Sequence, residues 1–435
     1  MIASSFIKIF SIVVLAALSI SAQRECASVQ AEDNNTEKKR FIVMLDKEVK
    51  NVAKDHYEMM KKCYETRVQS IITDESTSTV FDQSTIRDFS VNGTMQGYTA
   101  YFTPEFAKAV EKMKNVILVE EESKAEVDKI LRAAPRRFSR RNSINKRVED
   151  NHPTPNVDRI DQAKRPLNGE FIYPDSAGEG VNIFILDNGI LLTHNEYGGR
   201  AKFGRSFCKD CEKDNEGVHG NIVASIAVGK TVGVARKANV IDVRVLNFDG
   251  QGSTANMIEG LSYVIDQHKN GKNKNSVVNM SLRVIPLSHA LNHAVKEATD
   301  AGIHVAVSAG NSGADACKQS PAAAPSAITV GATEFKSDAI ADFSNFGKCV
   351  DIFAPGRNIT GAGLDNNHRY LKGYFGTSFS SPLVAGTLAL LIAKNGNKPP
   401  AALTKDLIEL STKGVVTGLK NKKGTPNTFL RTPSP

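Results

Sequence analysis

Three residues whose types can share one piece of chemistry stand far apart in this chain: Asp187 in FILDNG, His219 in GVHGN and Ser378 in GTSFSSP. A serine hydroxyl is a weak nucleophile until a neighbouring base takes its proton, and a carboxylate makes an imidazole a better base by fixing its tautomer. Acid, base, nucleophile is one of three unrelated chain orders in which such a triad occurs. Each residue also has a plainer reading. Asp-Asn-Gly is a good turn sequence, and an isolated histidine is more often structural than catalytic. The local settings favour the chemical reading. Asp187 follows the apolar run Ile183 to Leu186, and His219 lies between Gly217 and Gly220 ahead of the apolar NIVASIAV. Ser378 follows Gly376 and Thr377 and precedes SSPLVAGTLALLIA, a run apolar enough for a buried helix. Pro382 suits the first turn of that helix, where its missing N–H is not needed. A hydroxyl at a helix start meets unpaired backbone N–H groups and the positive end of the dipole, both useful to an oxyanion.

The elements that must hold these residues can be read from apolar runs. From about Val157 onward, Val181 to Leu186, Val240 to Leu246, Ser276 to Leu282, Ile303 to Ser308 and Ile328 to Ala332 have strand length and β-branched content. Asn256 to Gln267 and Leu287 to Ala301 between them read as helices. Continuous apolar strands separated by helices predict a parallel sheet buried on both faces, with ligands at the carboxyl ends of the strands. Asp187 stands at such an end.

Upstream, about Lys39 to Asp128, the pattern is shorter: strand Phe41 to Leu45, amphipathic helix Val52 to Arg67, strand Gly97 to Phe102, helix Phe106 to Met113 and strand Val116 to Val119. This β, α, β, α, β order predicts a small α+β domain with helices on one face of an antiparallel sheet. Before it, Lys8, the apolar Ile9 to Leu18 and small residues through Ala22 have the layout of a secretory signal peptide cut near Ala22. The run is shorter than the ~20 residues a membrane span needs, and no later segment is expected to reach that length.

The net charge of +8 localises to one stretch. Lys129 to Arg147 holds eight basic residues and no acid, and without them 47 bases balance the 47 acids of the chain. A nucleic-acid partner is therefore not indicated. Pro135 and the paired bases Arg136-Arg137, Arg140-Arg141 and Lys146-Arg147 read either as a solvated linker or as a processing site, and secretion favours the latter.

With these residues in view, the chain resembles the subtilisin-like serine proteases, and most closely their proteinase K branch. The resemblance runs from about Val157 to Leu419 through GVNIFILDNGI, HNEYGGRA, GVARKANVIDVRVLN, AVSAGNSGADACKQSPAAAPSAITVGA, FSNFGKCVDIFAPG and GTSFSSPLVAG. It implies a three-layer α/β/α catalytic domain, an acyl-enzyme mechanism at Asp187, His219 and Ser378, and Asn311 of SAGNSG as the oxyanion-hole amide. Gly250, Gln251 and Gly252 match the segment that pairs with extended substrate, and Ser281 and Leu282 the wall of the pocket for the residue before the cut. The implied organisation is a signal peptide (1–22), an inhibitory propeptide (23–128, folded from about 39), a basic processing linker (129–147) and a catalytic domain (148–435). The reading is of a secreted, monomeric endopeptidase made as a zymogen, acting on proteins or peptides, with its own propeptide as inhibitor and no stable membrane anchor.

Departures from the family pattern keep a second reading open. HGTHVAG is here HGNIVAS, DTG or DSG is DNG, GTSMA-PHVAG is GTSFSSPLVAG, and the glycine usual after Leu282 is Arg283. Two customary histidines are thus Ile222 and Leu383, and the rival is a catalytically impaired homologue or a secretory-pathway binding protein on the same fold. A cation at position 283 would narrow the pocket or favour acidic side chains.

Six cysteines suit an oxidising compartment. The resemblance implies a Cys317–Cys349 disulfide. Cys208 and Cys211 form a CxxC that lacks two further ligands for zinc and reads as a tight disulfide or as two separately paired residues. Cys26 and Cys63 stay unassigned. Catalysis is expected to need no cofactor, while the resemblance maps a structural calcium onto Asp351 and the carbonyls of Pro325 and Ala327. Asn34, Asn92 and Asn358 are glycosylation sequons, and Asn279, before a buried strand end, is expected to be unused.

Overall fold

The computed structural model describes residues 37–47, 56, 60, 81–91, 93–127, 131–132, 153–208, 211, 217–365 and 370–435. The signal peptide, most of the basic linker, most of the helix expected over Val52 to Arg67, Cys26, Cys63 and the sequons at Asn34 and Asn92 lie outside them. The chain divides into two compact units, Met1–Glu122 and Ser123–Pro435.

The first unit is a four-stranded antiparallel sheet in the order Phe81–Asp88, Gln96–Phe102, Lys39–Leu45, Val116–Glu121. Phe41, Val43 and Leu45 alternate along one face and meet Phe106 and Val110 of the helix Pro104–Glu111, whose start is capped by the Thr103 hydroxyl. His56 and Met60, one helical turn apart, are buried against Tyr98, which reaches both side chains. The strand Phe81–Asp88 was not expected from the sequence. It is an edge strand, bonded on one side only, so its polar DQST needs no apolar alternation to be stable there.

The second unit carries nine strands in the order Thr412–Lys413, Thr428–Phe429, Ile352–Pro355, Ile328–Thr333, His304–Ser308, Ser276–Met280, Asn182–Asp187, Asn239–Arg244, Ala201–Ser206. All pairs are parallel except the first. The strand Asn182–Asp187 shows why both faces are apolar. Ile183 and Ile185 pack in one core with Ala224 and Leu388 of the helices Val218–Val228 and Ser381–Asn395. On the opposite face Leu186 approaches Gly260 of the helix Thr254–Asn270, where an added Cβ would lie 2.6 Å from Val245 Cγ1. Helices therefore cover both faces, giving three layers.

Strand order reverses at Asn182–Asp187: later strands fall on both sides of it, which opens a crevice at its carboxyl end. Asp187 is the last residue of the strand itself, so the strand ends one place later than the Leu186 boundary read from the sequence. One further expectation needs correction. The segment Thr377–Asn395 is long and apolar enough to cross a membrane, but 89% of its most apolar window is buried inside the protein. Its apolar surface faces core on all sides, so it packs as a central helix.

Candidate active site

Asp187 and His219 are each 1% exposed. His219 is the second residue of the helix Val218–Val228, and its Nδ1 lies 2.9 Å from both Asp187 carboxylate oxygens. That geometry places the Nδ1 proton toward the carboxylate and leaves Nε2 with its lone pair. Nε2 is buried and, among the described residues, has no hydrogen-bond partner.

The helix that carries His219 begins at Gly217, which has no side chain to cap it. Asn188 supplies the cap from the neighbouring strand end. Its Oδ1 accepts the Gly220 N–H at 2.9 Å, its Nδ2 donates to the Phe248 carbonyl at 3.2 Å, and its own N–H donates to Asp187 Oδ1 at 2.8 Å. A side chain at position 217 would overlap the Asn188 amide, which explains glycine there. The DNG departure thus ties acid and base together across 31 intervening residues. No local pattern could reveal it, because the capped helix is so far along the chain.

The other substituted positions are also satisfied. Asn221 Oδ1 accepts from the Tyr197 hydroxyl at 2.7 Å, and its Nδ2 donates to the Gly363 carbonyl at 2.7 Å. Ile222 and Leu383 are fully buried members of the core, so apolar packing fills the places of the two customary histidines. Behind Asp187, Asp242 pairs with Arg244 Nε at 2.9 Å. Burial pushes the Asp242 carboxyl up to about 6, with Arg244 pulling the other way.

Ser378 sits in a single 3₁₀ turn, Thr377–Phe379, rather than in the helix proper, which starts at Ser381 with Pro382 in its first turn. Gly376 before it has φ 152°, a conformation that favours glycine. Ser378 Oγ donates to the Ser281 carbonyl at 3.4 Å, and Ser281 Oγ donates to the Ser378 carbonyl at 2.7 Å. Asn279 extends this link, donating to Ser281 Oγ at 2.9 Å and accepting from Ser381 Oγ at 2.6 Å. It is 0% exposed, so the sequon there is out of solvent. The Phe379 ring lies 5.6 Å from the His219 ring and completes the wall beside the imidazole.

Asn311 lies in the loop after the strand His304–Ser308. Its Oδ1 accepts from both the N–H and the hydroxyl of Thr377, each at 2.8 Å. With the oxygen end committed twice, Nδ2 is the end of the amide that faces the Gly376 backbone, 3.1 Å from where a Cβ would stand. Asn345 and Gln319 hold the loop by donating to the Ala309 carbonyl at 2.8 Å and 3.1 Å. An amide donor fixed in this way needs no reorganisation when negative charge develops beside it.

The segment expected to pair with extended substrate pairs here with a strand of its own chain. Gln251–Ser253 and Arg283–Val284 flank Lys124–Glu126 in a three-stranded antiparallel sheet. Glu126 stands opposite both Gln251 and Arg283, and Ala125 opposite both Gly252 and Val284. Val127 N–H then donates to the Gly250 carbonyl at 2.9 Å. Beyond the undescribed 128–130, Leu131–Arg132 pairs with Tyr374–Phe375, just before Gly376. Main-chain bonds of this kind bind a backbone whatever its sequence. Leu282, 1% exposed, precedes Arg283 in the wall.

Asp351 lies beside the start of the strand Ile328–Thr333. Its Oδ2 accepts the Thr329 N–H at 2.8 Å, and burial pushes its carboxyl up to about 6. A desolvated carboxylate is the kind of hard oxygen ligand that a hard cation takes. Cys317–Cys349 is a disulfide, and so is Cys208–Cys211, which settles the CxxC as a tight loop.

Known proteins match this arrangement. Residues 178–426 match the subtilase family, Peptidase_S8. Subtilisin-like protease 3 of Saccharomyces cerevisiae is 31% identical over 419 residues, covering 90% of this chain and 83% of its own. Alkaline protease 2 of Aspergillus fumigatus is 34% identical over 361 residues, covering 78% and 69%. The crystal structure of a cold adapted subtilisin-like serine proteinase superposes with TM-score 0.59 at 36% identity, over 65% of this chain and all of that one.

Proposed function

The chain belongs to the subtilase family and is a subtilisin-like serine endopeptidase of the proteinase K type, and from that premise we propose that Asp187, His219 and Ser378 form its triad. Ser378 Oγ turns from the Ser281 carbonyl to His219 Nε2, gives up its proton there and bonds to the substrate carbonyl carbon. Asp187 holds the imidazole and stabilises its charged form. The oxyanion receives the Asn311 Nδ2 donor and the Ser378 N–H. As the tetrahedral species collapses, the C–N bond breaks and His219 protonates the departing amine. A water then hydrolyses the acyl-enzyme by the same proton route.

The observation that carries this reading is the imidazole clamped by Asp187 at Nδ1, with Nε2 buried and, among the described residues, without a hydrogen-bond partner, beside the turn that bears Ser378. Folded mature protein should be labelled at Ser378 by an organophosphate serine reagent, and Ser378→Ala should not be. Folded protein that resists the reagent overturns the triad.

The finer reading is of a secreted zymogen. The layout of residues 1–22 supports secretion. The strand Lys124–Glu126, held between Gln251–Ser253 and Arg283–Val284, supports the leading segment as an inhibitor that occupies its own substrate groove. Removal of that segment by a cut within about 129–147 then frees the enzyme. No cofactor enters the chemistry. A calcium ion held by Asp351 and the carbonyls of Pro325 and Ala327 would serve stability alone.

A further inference from the structure

We propose that Arg283 makes this endopeptidase select an acidic side chain at the third residue before the bond it cuts. The inference rests on the triad reading above and adds a substrate class to it. Arg283 bridges Glu126 and Ser312. Its Nη2 and Nε lie 2.7 Å and 3.2 Å from Glu126 Oε1, and its Nη1 donates to Ser312 Oγ at 3.3 Å. It therefore reaches across to the strand that fills the groove.

The register fixes which substrate position it meets. Arg283 is opposite Glu126 in an antiparallel pair, so each step back along the wall matches one step forward along the bound strand. Two steps back from Arg283 is Ser281, whose carbonyl accepts the Ser378 hydroxyl. A bound peptide thus brings to the nucleophile the residue two places after the one facing Arg283, and that facing residue is third before the cut. Alternation along the strand agrees: Ala125 is buried at 1% exposure whereas the Glu126 side chain is half exposed, at 51%. An exposed position of this kind is read by charge at its rim and not by shape. The family's usual glycine at 283 has no side chain with which to do so.

A rim ion pair is worth a modest factor, about 2- to 5-fold, and it weakens with salt. A like charge in the same place repels, so the ratio between acidic and basic peptides should be wider, on the order of 10-fold at low ionic strength. The test uses mature enzyme and internally quenched peptides that differ only in Glu, Gln or Lys at the third residue before the cut, with the cleavage point located by mass. The expected order of kcat/KM is Glu above Gln above Lys, compressing as salt is raised to about 1 M, where the Debye length falls to about 3 Å. In Arg283→Gln the order should collapse toward equality, and in Arg283→Glu it should invert. Each ratio is taken within one preparation, so a smaller folded fraction cancels. Equal rates for the three peptides, or a preference that survives Arg283→Gln, overturns the inference while leaving the triad intact. Failure to cut any peptide overturns the triad reading, and this one with it.

Discussion

At the scale of single residues, the chemistry depends on side chains that orient other side chains. Asn188 is the clearest case. It caps the helix that carries His219 while its backbone bonds the carboxylate that clamps the ring. Loss of an N-terminal cap costs about 1 kcal/mol of stability, and displacement of a base by a fraction of an ångström costs ~10- to 100-fold in rate. Asn188→Ala should therefore lower kcat far more than it changes KM. Asn188→Asp, which keeps the acceptor, should recover much of the lost stability. Thermal unfolding and steady-state kinetics on the same preparations check this, and an unchanged kcat would reduce Asn188 to a turn residue. Asn311→Ala should lower kcat by about 10²- to 10³-fold, the loss known for such a donor in subtilisins, with KM little altered. Asp187, His219, Ser378 and Asn311 stood out in the sequence as candidates because each lies in a motif a few residues long. Asn188, Asn279 and Thr377 were not assigned roles, since their partners lie 32, 102 and 66 residues away.

At the scale of elements, strands buried on both faces announce themselves as apolar runs, and the five such runs in the catalytic unit form strands within a few residues of the expected limits. Edge and inserted strands do not. Phe81–Asp88 and Ala201–Ser206 sit at sheet margins, and Lys124–Glu126 is three residues of largely polar chain held by main-chain bonds on both sides. The turn around Asp351 yields a prediction at this scale. Its carboxyl is pushed by burial to about 6, above the ordinary 3.8. A native value above the unfolded one favours folding with the proton on, so that contribution is present below about pH 4 and is lost as pH rises through about 6. A cation that pairs with the ionised carboxylate offsets the loss. Chelator should therefore lower the thermal midpoint at pH 8 and have little effect at pH 4.5, and Asp351→Asn should remove the difference. Equal midpoints at pH 8 with and without chelator would count against the site.

At the scale of the whole molecule, one stretch of chain has two relations to the same nucleophile. Lys124–Glu126 pairs with Arg283–Val284, two residues past the Ser281 that bonds Ser378, and Leu131–Arg132 pairs with Tyr374–Phe375, which leads into the turn bearing Ser378. This supports self-cleavage over cutting by a separate enzyme that recognises paired bases. Ser378→Ala should accumulate as uncut chain, while N-terminal sequencing of the unmodified protein should find a new terminus within 129–147. Normal processing of the mutant would assign the cut to another protease. The sequence by itself determined the candidate reactive groups, their order and the apolar runs that become central strands and buried helices, because each of these is encoded in a short local stretch. Only the tertiary structure decided that Asp187 meets His219, that Asn188 caps a distant helix and that Arg283 reaches the strand Lys124–Glu126. Those contacts join positions 32 to 157 residues apart, and they exist only because the sheet returns the chain to the same crevice.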